Sequence, residues 1–115
     1  MTFAEELKSI YDNYKFMGMI KAELSHIKDE MKKAAMDGNS SFSIELIKPK
    51  YGDYGIGGVP SNYKVIVIDD KYYIDRCQKG VIEYLESELG FKPAQISTRD
   101  YGNSYYVSRT ITVSW

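Results

Sequence analysis

This chain is short of the residues that most catalytic and metal centres need. It has one histidine, one cysteine and one tryptophan in 115 residues. A lone cysteine, Cys77, excludes an intrachain disulfide and fits a reducing compartment. A lone histidine leaves few routes to a histidine-rich metal site or a nucleophile–base pair. Charge of one sign is not in excess either: 15 basic residues stand against 16 acidic ones, for a net charge of −1. That balance lacks the broad basic footprint that duplex nucleic acid requires. No apolar run approaches the ~20 residues that span a bilayer. The first residues, Met-Thr-Phe-Ala-Glu-Glu, lack the basic and apolar regions of a secretory signal. A cytoplasmic protein without a membrane partner is expected.

What the chain does have is tyrosine, eleven residues against four phenylalanines. Tyrosine pairs an apolar ring with a polar tip, so it suits half-buried surfaces and interfaces. Hydrophobic content of 43% and charged content of 27% are those of a globular chain, and the length fits one domain over residues 1–115.

Residues 1–37 read as helical. Thr2 followed by Glu5 forms a capping box. Phe3, Leu7, Ile10, Tyr14 and Met17 then recur at alternating spacings of four and three, and Ile20, Leu24, Ile27, Met31 and Ala34 resume the pattern. This is a narrow apolar stripe close to a coiled-coil seam. Its phase slips beside Gly18, which predicts either one helix bent there or two helices meeting there. Gly38 supplies the stop. The seam predicts a homo-oligomer formed through this helix, or a segment that folds back.

Residues 41–115 read as a ββαββ unit. Ser41 to Lys48 alternates apolar and polar positions, as a half-buried strand does. Tyr63 to Ile68 is β-branched on both faces, which suggests a more central strand. Asp75 can cap a helix whose inner face is Cys77, Val81, Ile82, Leu85 and Leu89, ended by Gly90 and Pro93. Ile96 and Thr98 open a hairpin that turns over residues 100–104 and returns from Tyr105 to Trp115. The expected fold is α+β: a two-layer domain with a four-stranded, mostly antiparallel sheet, in the order α-β-β-α-β-β.

Three segments invite chemistry. The stretch KPKYGDYGIGGVP, residues 48–60, holds four of nine glycines. It is not a dinucleotide or triphosphate loop, because a strand follows where a helix must begin. Lys48, Lys50, Tyr51, Tyr54 and Lys64 nevertheless gather around it, and lysines can meet phosphates while tyrosines stack on a base. The alternative is a solvated connection. Arg109 interrupts an apolar alternation, so it needs either a carboxylate partner or a bound anion, with Arg99 as a possible helper; it can also lie exposed with its stem packed. The candidate ligand-binding residues are thus Lys50, Tyr51, Tyr54 and Arg109. Glu23, His26 and Glu30 share a helical face, but the ligand set is too small for a di-metal site. Asp69 and Asp70 read as a turn. No cofactor, metal or catalytic constellation is expected.

The stretches IKDEMKKAAMDGNSSFSIEL and VIEYLESELGFKPAQISTRDYGNSYYVSRTITVSW resemble small phage- or prophage-encoded α+β proteins of Gram-positive bacteria. The resemblance is architectural and transfers no functional residues. It implies a phage accessory protein that inhibits a host system, by occupying a host protein or sequestering a small, anionic, nucleotide-like ligand. The alternative it implies is a structural component of a phage particle.

Overall fold

A computed structural model describes residues 2–49, 58–68 and 74–115, with side chains 12–19 and 21 outside the description. Helix α1 spans Phe3–Leu24 and α2 spans Ile27–Met36; strand β1 (Ser41–Pro49) and β2 (Tyr63–Val67) follow. Helix α3 (Ile74–Ser87) leads to the hairpin of β3 (Ile96–Gly102) and β4 (Tyr106–Ser114). The four strands form one sheet in the order β2-β1-β4-β3. The architecture is α+β, with helices packed on one face of a mixed, mostly antiparallel sheet.

The N-terminal segment is two helices, but they do not meet at Gly18. Helix α1 runs through that glycine and ends at Leu24. The break falls at Ser25 and His26, where the Ser25 hydroxyl donates to the Ala22 carbonyl at 2.6 Å. A side chain bonded back to its own helix competes with the backbone ladder there. At the start of α1, Thr2 Oγ1 accepts from the Glu5 amide at 3.2 Å. Helix α2 closes on Gly38 at φ +89°, with the Asn39 amide bonded to the Ala34 carbonyl and the Gly38 amide to Ala35. This pair of bonds satisfies two carbonyls that a helix end leaves without partners.

Strand β1 is central, hydrogen-bonded to β2 in parallel and to β4 antiparallel. Strand β2, expected nearer the centre, is an edge. Its β-branched residues reflect strand propensity, which does not encode a place in the sheet. Parallel pairing also explains the separation of β1 from β2 by residues 50–62, since a tight hairpin cannot close a parallel pair.

Pairing register sorts the side chains onto two faces. Phe42, Ile44 and Leu46 of β1, Ile66 of β2, and Ile111 and Val113 of β4 meet Ile20, Leu24, Ile27, Met31 and Ala34 of the first two helices. Cys77, Val81 and Leu85 of α3 complete that core. Among the described residues, no helix is long and apolar enough to cross a membrane.

Candidate functional site

The second sheet face has no described helix upon it. Register places Tyr63, Ser43, Glu45, Ser108, Thr110, Thr112, Ser97, Arg99 and Tyr101 there across the four strands. All of these except Ser43 line an open groove of about 460 Å³, together with Thr98 and Tyr106. Polar alternation in β4 is the cause: every second residue from Tyr106 to Ser114 carries a hydroxyl, and the pleat turns all of them the same way. The surface is ordered by its own bonds. Ser43 and Thr112 hydroxyls lie 2.8 Å apart across the β1–β4 pair. Tyr101 and Tyr106 rings are 5.6 Å apart and tilted by 38°, a favourable aromatic geometry. The turn below Tyr106 is fixed by Asn103, whose Oδ1 accepts from the amides of Tyr105 at 2.7 Å and Tyr106 at 2.9 Å.

Two charges on this face have no ion-pair partner among the described residues: Glu45, half-buried, and Arg99, exposed. Ile47 and Ser108, paired in the next row of the same face, are buried. The groove therefore offers hydroxyls that donate or accept, tyrosine rings that present flat apolar surface, one guanidinium and one carboxylate.

Arg109 lies on the opposite face. Its Nε donates to Asp75 Oδ1 of α3 at 2.9 Å and sits 3.7 Å from Asp100 Oδ1 of β3. Its Nη1 donates to the Ser108 carbonyl at 3.0 Å, and Gln78 Nε2 donates to Asp100 Oδ1 at 3.1 Å. Of the readings open for Arg109, the carboxylate pairing is the one the structure contains. Asp75 accordingly sits inside the first turn of α3 and serves Arg109, where the sequence suggested a cap. Arg99 cannot assist Arg109, because adjacent residues in a strand alternate: Asp100 shares the face of Arg109, and Arg99 takes the other.

Lys50, Tyr51 and Tyr54 lie outside the described residues. Lys64, expected beside them, points to the helix-covered face, where its Nζ is 2.9 Å from Glu30 Oε1 and 3.4 Å from Glu23 Oε2. The carboxylates of the Glu23, His26, Glu30 face are thus engaged by a lysine. Lys48 Nζ donates to the Pro49 carbonyl at 2.9 Å. His26 is exposed in the turn between α1 and α2, and Cys77 is fully buried in α3. Among the described residues, no group of three or more histidine, cysteine, aspartate or glutamate side chains is placed to hold a metal.

Sequence reasoning saw the alternation in β4 but did not single out the polar face as a site. The signal was present in Tyr106, Ser108, Thr110 and Thr112; what was missing was the pairing that lays Ser97, Arg99, Tyr101, Glu45 and Tyr63 beside them.

Comparison with protein-family models, curated proteins and solved structures finds no match.

Proposed function

We propose that this chain is a non-catalytic binding protein that occupies another protein through the helix-free face of its sheet. The observation that carries this reading is the composition of the groove: three tyrosines, a row of serine and threonine hydroxyls, and the uncommitted charges of Arg99 and Glu45. Tyrosine supplies contact area at small entropic cost, and hydroxyls adapt their bonding to a partner's polar groups. Arginine and tyrosine are also the residues that concentrate in protein interfaces. The groove is open and mixes polar with apolar surface, whereas sites that capture small molecules enclose the ligand in mostly apolar walls. Sequestration of a small anionic ligand is the weaker version, since Arg109 is already paired with two carboxylates. The resemblance to phage-encoded α+β proteins makes a host protein the natural partner, with inhibition by occupancy as the mode of action in the host cytoplasm.

Site-specific photo-crosslinking in bacterial cells tests the proposal. A photoreactive phenylalanine analogue at Tyr101, in the groove, should capture one protein. The same analogue at Glu83, exposed on α3, should not. Capture from Tyr101 should fall at least tenfold when Arg99→Glu is added. Equal capture from both positions, or indifference to Arg99→Glu, would overturn it. A thermal shift with one class of nucleotide, lost in Arg99→Ala, would replace the protein partner with the small ligand.

A further inference from the structure

We infer that a second copy of this chain covers the N-terminal half of α1, the two helices running antiparallel about a two-fold axis. Phe3, Leu7, Ile10 and Tyr11 are 73%, 51%, 60% and 55% exposed. Farther along the same helix, Ile20 and Leu24 are fully engaged in the core. The helix is 22 residues long, about 33 Å at 1.5 Å per residue, and among its described side chains Ile20 and Leu24 are the ones in the core. Large side chains present 150–250 Å² each, so the four exposed ones offer on the order of 500 Å² per chain. Two such stripes facing each other would cover about 1,000 Å², the area at which specific interfaces begin.

Three features select a second copy as the occupant. The stripe repeats at spacings of four and three from Phe3 through Leu7, Ile10 and Tyr14 to Met17 in the sequence, which is the seam of a two-stranded helix pair. Such a seam is complementary to itself, and a two-fold contact closes without leaving a free end for further growth. Charge then sets the direction. Residues 3–12 carry Glu5, Glu6 and Asp12 against Lys8, while residues 13–24 carry Lys15 and Lys21 against Glu23. Over the stripe from Phe3 to Met17, centred on Ile10, antiparallel pairing sets Glu5 of one helix opposite Lys15 of the other and Lys8 opposite Asp12, and parallel pairing lays like beside like. Helix dipoles favour the same arrangement. A lipid surface fits less well, because the acidic first turn would approach anionic headgroups.

Sedimentation equilibrium of the full chain tests the contact, and a mass twice that of the 13.2 kDa chain is expected at micromolar concentration. Ile10→Asp should halve that mass and leave the circular dichroism of the domain unchanged, since Ile10 is outside the core. Ser9→Asp, one residue away and off the seam, should leave the dimer intact. For the direction, Ala4→Cys should form no disulfide between chains on oxidation, because antiparallel helices keep residue 4 of each chain apart. A chain that stays monomeric at hundreds of micromolar overturns the proposal, as does a dimer that survives Ile10→Asp. Rapid cross-linking of Ala4→Cys would overturn the antiparallel arrangement. A monomer that sediments with phosphatidylcholine–phosphatidylglycerol vesicles would assign the stripe to lipid instead.

Discussion

At the scale of single residues, two basic side chains on the helix-covered face, Lys64 and Arg109, hold elements together. Lys64 is 15% exposed and lies between Glu30 and Glu23, so it ties the edge strand β2 to α2 and to the end of α1. Removing it leaves two carboxylates facing a partly buried space. Lys64→Ala should therefore cost about 1 kcal/mol, read as a lower urea midpoint, and 0.5 M salt should narrow the difference. Arg109 is 19% exposed, but its partners Asp75 and Asp100 are 76% and 62% exposed, so water weakens the pairing. Arg109→Ala should cost about 1 kcal/mol, from lost stem packing as much as from lost charge. A loss above ~3 kcal/mol in the same urea titration would contradict this reading, because it would require a charge pair shielded from water. Phe42, 1% exposed at the middle of the core, belongs to a different class. Phe42→Ala should cost roughly 3–5 kcal/mol, a large part of the stability of a domain this size.

Among the secondary-structure elements, two glycines end helices for the same reason. Gly38 and Gly90 have φ of +89° and +76°, which L-residues with a side chain rarely adopt. A Cβ at either position would meet nothing within 4 Å. Gly38→Ala and Gly90→Ala should thus each cost about 1 kcal/mol through backbone conformation alone, and Gly38→Asn should cost less, because asparagine tolerates that region better. Thermal denaturation of the three variants checks the order. Both stops were legible in the sequence, since glycine after an apolar period is a local signal. The break between α1 and α2 was not legible in the same way. Gly18 is the weaker helix former, yet the helix continues through it and parts at Ser25 and His26. A single glycine costs about 1 kcal/mol in a helix, which packing of Ile20, Leu24 and Ile27 can offset.

For the molecule as a whole, the radius of gyration is 15.0 Å and the extents are 49 × 35 × 23 Å. A compact chain of this length would have a radius near about 13 Å. Helix α1, about 33 Å long with Phe3, Leu7, Ile10 and Tyr11 exposed, contributes to that extent. Hydrogen exchange should register this as a split in protection. Amides of residues 6–11 should become more protected as protein concentration rises, while those of β1 and β4 stay protected at every concentration. Protection of α1 that ignores concentration would place its cover within one chain.

Sequence alone determined most elements of this protein and their faces, the break at Ser25 and His26 excepted. Alternation in Phe42, Ile44 and Leu46, the helical period in Cys77, Val81 and Leu85, and the stops at Gly38 and Gly90 are local facts of spacing and backbone freedom, and they needed no tertiary knowledge. It likewise displayed the seam on α1, whose apolar period runs from Phe3 to Met17. Only the tertiary structure decided that β2 is an edge strand paired in parallel, that Arg109 meets Asp75 and Asp100, and that Arg99 joins Glu45, Tyr63 and Tyr101 on one polar face. The physical reason is that strand order and register join residues far apart in the chain. Asp75 and Arg109 are 34 positions apart, and no pattern in a window of ten or twenty residues carries their meeting.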